Sequence, residues 1–165
     1  MEAIERSPYE APAAELVKDA ELAPDKLFSV EGRIGVLRYN ARLLYCILGF
    51  LVAAIIMWVC VLTQSTAIML IGGAVTVAMV VAAFVIMIIS GIKRLHDLGF
   101  TGWYYLISLI PLAGVIWSLY FSLKPGANES NRFGAWREAS KHDKVAGIIG
   151  IVAMVSISII SLIPL

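Results

Sequence analysis

A histidine and an aspartate stand side by side at His96 and Asp97, directly after a long apolar stretch. Histidine titrates near neutral pH, so a neighbouring carboxylate makes this pair a candidate for proton transfer or acid–base chemistry. Adjacent residues on a helix, however, do not face each other. We therefore favour a structural arrangement in which Asp97 pairs with Arg33, Arg38 or Arg94 and His96 bonds to the backbone.

Basic residues near the ends of the apolar stretches form the second group of chemical interest. Anionic lipid head groups attract such cations by about 1 kcal/mol each, and the Arg side chain can bind phosphate in a bidentate manner. Anchoring of the membrane topology is the simpler interpretation of the same residues. The candidate functional or structural polar cluster consists of Arg33, Arg38, Lys93, Arg94, His96, Asp97 and Arg132.

Motifs for catalysis are missing from the sequence: it contains no nucleotide-binding loop, nucleophile elbow, paired-cysteine motif or zinc-binding helix. Cys46 and Cys60 lie too far apart along a single helix to bond to each other. We expect a non-enzymatic protein with no catalytic residue, no metal, no cofactor and no nucleic-acid partner.

Four long apolar stretches without a charged residue set the class of the protein. Each has about the 20 residues that a helix needs to cross the ~30 Å hydrocarbon core of a bilayer. Only 15% of the chain is charged and 60% is hydrophobic, whereas soluble domains average about 25% charged residues. The sequence predicts an all-α integral membrane protein with apolar segments at 43–63, 67–92, 103–123 and 145–165.

The first two segments are separated only by Gln64, Ser65 and Thr66, and so short a link forces antiparallel neighbours. Stripes of small or flexible residues favour close packing of helices in lipid. The stripe in the second segment is Gly72, Thr76, Met79, Ala83, Met87 and Ser90, and the stripe in the last segment is Gly147, Gly150, Ser158 and Ser161.

The third segment is interrupted by Pro111, which removes a backbone donor, and by Gly114, a second weak point. It is either a kinked spanning helix or a re-entrant pair of short helices that enters and leaves on one side. A full span would put the basic residues of 124–144 on the side opposite to Lys93 and Arg94, against the positive-inside tendency. We therefore favour the re-entrant form, and the kinked span remains the alternative.

Three motifs occur in order: Gly32-Arg33-Ile34-Gly35, the run from Ile92 to Trp103, and Ile110-Pro111-Leu112-Ala113-Gly114 followed by Asn131-Arg132-Phe133-Gly134. Together they resemble the bacterial inner-membrane family called domain of unknown function 805, over residues 28–134. Val36, Phe100 and Thr101 depart from the residues common in that family. The resemblance implies a multi-pass protein of the bacterial inner (plasma) membrane and implies no reaction.

The chain divides into a flexible acidic tail (1–27), the membrane domain (28–134), and a polar helix extension with an added terminal transmembrane helix (135–165). Because the tail has many acidic residues, several prolines and no apolar core, we expect no cleaved signal peptide. The link between the first two segments carries no Lys or Arg, whereas Lys93 and Arg94 follow the second, so the positive-inside tendency predicts a cytoplasmic N-terminus. The last segment ends outside if the third is re-entrant, and inside if the third spans.

The leading functional hypothesis is a non-enzymatic envelope scaffold or modulator that contacts the lipid bilayer, anionic phospholipid head groups or partner membrane proteins. Self-association is compatible with so thin a helical bundle. The alternative is a small transporter or channel component with a site at the break between Pro111 and Gly114. A membrane enzyme that acts on lipid with His96 and Asp97 is the third hypothesis.

Overall fold

The computed structural model describes residues 26–127, 129–135 and 138–161, with side chains of the last helix as far as Ser156. These ranges hold helix α1 (Val36–Leu62), helix α2 (Thr66–Asp97), a 3₁₀ helix (Gly102–Leu109), helix α3 (Ala113–Leu123) and helix α4 (Lys141–Ser161). The described part contains no strand, so the all-α prediction is confirmed there. Residues 1–25 of the predicted tail lie outside the described residues.

Helices α1 and α2 form the predicted antiparallel hairpin. Gln64, at the turn between them, has a positive φ of 52° that reverses the chain within three residues. The thiol of Cys46 lies 3.5 Å from the carbonyl oxygen of Ala83, and a Cβ placed on Gly72 would overlap the thiol of Cys60. The small-residue stripe of α2 therefore lies against α1, and its small side chains permit the close approach.

Helices α1 and α2 extend beyond the predicted apolar segments 43–63 and 67–92 at the end of the bundle where α1 begins and α2 ends. Helix α1 begins at Val36, directly after Gly35, and includes Arg38 and Arg42. Helix α2 continues through Lys93 to Asp97. A helix continues wherever its backbone hydrogen bonds can form, whatever the polarity of its side chains. The first charged residues therefore mark where the apolar surface ends, and the helix itself runs further.

The third segment folds back on itself. The amide of Ala113 donates to the carbonyl of Pro111 over 2.7 Å, and Leu112 between them has φ 63° and ψ −56°, the geometry of a γ-turn. The 3₁₀ helix and α3 then run side by side: the rings of Tyr104 and Trp117 lie 6.2 Å apart, and a Cβ on Gly114 would overlap the carbonyl of Ser108. The predicted break at Pro111 and Gly114 is thus the tip of a helical hairpin.

Helix α4 runs parallel to α1 and begins at the same end. A Cβ on Gly147 would overlap the carbonyl of Leu37, and one on Gly150 would overlap the carbonyl of Asn40. Both residue numbers increase together, which defines the parallel direction. The predicted small-residue stripe of the last segment therefore lies against α1 at its two glycines, whereas the side chains of Ser158 and Ser161 lie outside the described residues.

The apolar surface of α1 and α2 faces outward. Both helices are long and apolar enough to cross a membrane, and only 17% and 22% of their most apolar windows are buried within the protein. Large side chains such as Trp58, Leu70 and Ile71 are more than half exposed. A core helix of a water-soluble protein would bury such residues, so these two helices suggest a membrane protein.

Candidate functional site

One carboxylate and two guanidinium groups meet in the interior at the C-terminal end of α2. Arg33 Nε donates to Asp97 Oδ1 over 2.8 Å, and Arg94 Nη1 donates to Asp97 Oδ2. The side chains of Arg33, Arg94 and Asp97 are at most 2% exposed. Ion pairs with this geometry are charge-assisted on both oxygens of the carboxylate. We call Arg33, Lys93, Arg94 and Asp97 the charge cluster.

The two arginines also bind the backbone of the segment that leaves α3. Arg94 Nε donates to the carbonyl of Phe121 over 2.7 Å, and Arg94 Nη2 donates to that of Lys124. Arg33 Nη1 donates to the carbonyl of Glu129 over 2.6 Å, and Arg33 Nη2 to that of Ala127. These carbonyls have no partner within a helix, so the arginines satisfy them and fix the hairpin and the loop after it to α2.

Gly126 allows the loop to approach the carboxylate. A Cβ on this residue would overlap the Asp97 side chain. Its neighbours Lys124 and Ala127 both supply carbonyls to the arginines of the charge cluster. The absence of a side chain at Gly126 therefore lets the loop backbone pass over Asp97 while those bonds form.

Lys93 attaches the segment before α1 to the same place. Its side chain is 1% exposed, and Nζ donates to the carbonyl of Lys26 over 2.7 Å. Its own carbonyl accepts a bond from the amide of Ile34 over 3.3 Å. The segment around Ile34, which is buried, is thus held against α2 by both backbone and side-chain bonds.

Helix α2 ends in a Schellman motif at Gly99. The amide of Phe100 donates to Leu95 over 2.9 Å, the amide of Gly99 donates to His96 over 3.1 Å, and Gly99 has φ +82°. This pairing satisfies the last carbonyls of a helix and requires a left-handed residue, for which glycine is best suited. The partly buried Phe100 packs against the core that includes Leu95, so the end of α2 and the start of the next segment are fixed.

His96 lies at the outer edge of the charge cluster. Its Nδ1 is 3.1 Å from the carbonyl oxygen of Gly32, and its ring stacks on Phe133 with centroids 4.0 Å apart. Its carbonyl accepts a bond from Asn131 Nδ2 over 2.8 Å. Arg132 Nη2 donates to the carbonyl of Gly99 over 3.1 Å. His96 therefore joins two loops to the end of α2.

Arg38 takes part in a separate group of charges. Its Nε donates to Asp143 Oδ2 over 3.1 Å, which ties the start of α4 to the start of α1. Lys144 donates to the exposed Glu138 over 2.5 Å, and this hydrogen bond lowers the pKa of the Glu138 carboxyl below its ordinary value. The exposed Lys144–Glu138 pair contributes little to stability, whereas the Arg38–Asp143 pair is partly buried.

The structure selects among the predicted site residues. Of the three candidate partners of Asp97, it pairs Arg33 and Arg94 with the carboxylate and Arg38 with Asp143. His96 makes the expected contact with a backbone carbonyl. Pro111 and Gly114 lie at the hairpin tip, at the opposite end of the hairpin from its junction with the charge cluster.

Two asparagines outside the candidate polar cluster also hold the fold together. Asn40 is fully buried in α1, and its Nδ2 donates to the carbonyl of Ser122 over 2.9 Å, which links α1 to α3. Asn131 links the last loop to His96. Asn40 lies just before the first apolar segment, and this position could have indicated its role. A polar group that is buried there needs a hydrogen-bond partner.

The arrangement holds backbone segments together through charge-assisted bonds. Both oxygens of Asp97 accept bonds from guanidinium groups, and those groups also donate to four main-chain carbonyls. Within the described ranges, no group of three His, Cys, Asp or Glu residues could hold a metal ion.

Comparison with known proteins gives one match. The model of the family described as "Protein of unknown function (DUF805)" matches residues 27–135, which include α1, α2, the hairpin and the loop that carries Asn131 and Arg132. Helix α4 lies beyond the matched range. No curated protein and no solved structure matches the chain.

Proposed function

The chain belongs to the DUF805 family of proteins of unknown function, and from that premise we propose that it is a non-catalytic scaffold of the bacterial inner membrane that binds anionic lipid head groups. One observation carries this proposal. The ten Lys and Arg residues in the described ranges all lie at the end of the bundle where α1 begins, α2 ends and α4 begins. The turn at Gln64 and the tip at Leu112 contain no ionisable residue.

The cations at this end differ in exposure, and Arg38 and Arg42 are intermediate. Arg33, Lys93 and Arg94 are buried and bind carbonyls and Asp97. An outer set is exposed, where lipid phosphates would lie if the apolar helices cross a bilayer. This outer set consists of Lys26, Lys124, Arg132, Lys141 and Lys144.

The proposed topology has α1, α2 and α4 as spanning helices and residues 102–123 as a re-entrant hairpin. Its support is the direction of α4, which runs parallel to α1, so both helices enter the bilayer from one side. Both ends of the hairpin also lie beside the end of α2, since Arg94 binds the carbonyl of Lys124 and Gly102 adjoins Ile92. The positive-inside rule then puts this end and the N-terminus in the cytoplasm.

Labelling of single cysteines tests this topology. In a background without Cys46 and Cys60, we expect Ser130→Cys to react with an impermeant reagent only from the cytoplasmic side. Leu165→Cys should react only from the opposite side, because α4 would cross the membrane once. The exchanged pattern, in which Ser130→Cys reacts from the outside and Leu165→Cys from the cytoplasm, would contradict the proposed topology and favour four full spans.

The surroundings of the polar residues support a structural role over a catalytic one. Both carboxylate oxygens of Asp97 already accept hydrogen bonds from guanidinium groups, so neither is open to a substrate. The ring of His96 is covered on one face by Phe133. The break proposed as a transport site lies at an exposed tip, where Leu112 is 77% exposed, and such a position encloses no substrate.

Lipid selectivity tests the head-group function. The protein is reconstituted with spin-labelled phosphatidylglycerol or phosphatidylcholine, and the fraction of motionally restricted lipid is measured. We expect the anionic lipid to be enriched at the protein surface, and the enrichment to fall with salt because exposed charges are screened. The triple variant Lys124→Ala, Lys141→Ala, Lys144→Ala should reduce it. Equal restriction of both lipids at low salt would contradict the proposal.

A further inference from the structure

The segment from Asn131 to Gly134 is a tight turn held by several hydrogen bonds. The amide of Asn131 donates to the carbonyl of Gly134 over 3.1 Å, and the reverse bond is 2.9 Å. The side chain of Asn131 accepts a bond from the amide of Phe133 over 2.9 Å and donates to the carbonyl of His96. The turn is therefore fixed internally and also fixed to the end of α2.

The turn presents one charged side chain, Arg132, on a stack of two rings. The guanidinium carbon of Arg132 lies 4.7 Å from the centroid of the Phe133 ring. Phe133 in turn stacks on His96 with only 1° between the ring planes. Arg132 is exposed, yet its Nη2 is bonded to Gly99. An exposed arginine usually loses rotamer entropy when it binds, and these contacts reduce that loss before any ligand arrives.

Most donors of Arg132 remain available. A guanidinium group has five N–H donors in a planar fork. Among the described residues, the hydrogen bond to Gly99 is the one that Arg132 makes. The remaining donors can take up two oxygens of a phosphate in the bidentate geometry that Arg favours.

The position of Arg132 fits a lipid head group. Gly99, which it contacts, lies four residues before Trp103, and Trp103 is 79% exposed at the start of the re-entrant hairpin. An exposed indole that precedes an apolar segment is typical of the membrane–water interface. In the proposed topology, Arg132 and Trp103 therefore lie near the depth of the phospholipid phosphates.

We propose that Arg132, held by the His96–Phe133 stack and by Gly99, is a preorganised binding residue for the phosphate of one anionic phospholipid molecule. This inference rests on the head-group function proposed above and adds a defined position to it. A diffuse attraction depends on charge alone, whereas this site depends on the guanidinium fork and on its supports. Phosphate chemistry is shared with soluble anions, and the lipid is favoured because Arg132 binds Gly99, which lies four residues before the exposed Trp103 at the start of the apolar hairpin.

Native mass spectrometry of the purified full chain in detergent tests the site. The dissociation constant for the first phosphatidylglycerol molecule is measured for the wild type and four variants. We expect Arg132→Ala to weaken binding about tenfold or more, because the charge-assisted hydrogen bonds of the guanidinium fork are lost in addition to the diffuse attraction. Arg132→Lys should weaken it too, because the charge stays and the fork is lost. Phe133→Leu should weaken it by removing the support.

Lys141→Ala is the matched control, since it removes one exposed charge from the same end of the bundle. As a member of the outer set, Lys141 contributes to the diffuse attraction alone, so we expect a loss of affinity of at most about fivefold, clearly smaller than that of Arg132→Ala. Should Arg132→Ala fail to fold, Arg132→Lys and Phe133→Leu still decide the question. Wild-type affinity in Arg132→Lys, or equal losses in Arg132→Ala and Lys141→Ala, would overturn the site and leave the general head-group function intact.

Two further arms separate the remaining outcomes. If millimolar inorganic phosphate displaces the bound phosphatidylglycerol, the site is one for a soluble anion and the lipid assignment is overturned; we expect no displacement. If the wild type binds phosphatidylcholine as tightly as phosphatidylglycerol, and the spin-label experiment also shows no selectivity, the proposed function fails together with the site.

Discussion

The charge cluster and the close contacts between helices stabilise the bundle through different forces. At the charged end, Arg33 and Arg94 bind Asp97 and the carbonyls of the loop after α3. At the contacts between helices, which involve Gly72, Gly147 and Gly150, the helices approach closely at positions without side chains. Lipid tails are as apolar as the helices, so apolar burial alone cannot select a partner there.

The difference teaches how an assembly in lipid acquires a unique structure. Directional bonds at the charged end specify which segments meet, because a misplaced arginine would leave a buried charge without a partner. The shape of the helix surfaces at the glycine contacts specifies how closely the helices pack. Three substitutions separate these two contributions and a fourth tests the turn at the hairpin tip, from the largest expected effect to the smallest.

Asp97→Asn tests the directional bonds. The substitution preserves size and removes the negative charge between two buried guanidinium groups, and loss of one partner of a buried ion pair costs about 3–5 kcal/mol. We expect a loss of this order in the free energy of unfolding, measured by SDS titration of the protein in mixed micelles. Glu31→Gln, at an exposed carboxylate, is the control and should change it by less than about 0.5 kcal/mol. Equal losses would refute the structural role of the charge cluster.

Gly147→Ala tests the close contact between α4 and α1. The new Cβ would overlap the backbone of Leu37, and since backbone cannot rotate away, the two helices must separate. We expect destabilisation by about 1–3 kcal/mol relative to Gly73→Ala, measured in the same titration. A Cβ on Gly73 would meet no heavy atom within 4 Å, so its substitution gains helix propensity alone. A Gly147→Ala variant as stable as Gly73→Ala would show that α4 is not packed closely on α1.

Gly72→Ala compares two neighbouring glycines of one helix. A Cβ on Gly72 would overlap the thiol of Cys60, whereas Gly73 is open. Because a thiol can rotate away, we expect a difference of only about 1 kcal/mol between the two variants. Adding Cys60→Ala should remove most of the difference, since it removes the sulfur. The coupling free energy from this double-mutant cycle measures the contact, and a value near zero would place the helices further apart.

Leu112→Gly tests the turn at the hairpin tip. Leu112 has a positive φ of 63° that glycine adopts more easily. We expect Leu112→Gly to be more stable than Leu112→Ala, which keeps the strain, by less than about 1 kcal/mol, because glycine also loses more entropy on folding. Thermal unfolding of the two variants side by side measures this. A less stable Leu112→Gly would mean that the tip is not strained.

The main features of the fold were readable from local sequence. The short link at Gln64 predicts the hairpin of α1 and α2, and Pro111 predicts the break in the third segment; both are found in the structure. The candidate cluster also contained the three members of the buried ion pairs. These features follow from local rules, because backbone donors, segment length and charge avoidance in lipid depend on neighbouring residues.

Only the tertiary structure decided which partners meet. Nothing in the spacing distinguishes Arg38 from Arg33 as a partner of Asp97, nor assigns Gly126 to the carboxylate or Gly147 to Leu37. The parallel direction of α4 was likewise undetermined, since either topology of the third segment fits its sequence. Sequence alone determined that the chain consists of apolar helices with charges confined to their ends. Pairing, direction and close approach depend on how distant segments are brought together, which no local pattern encodes.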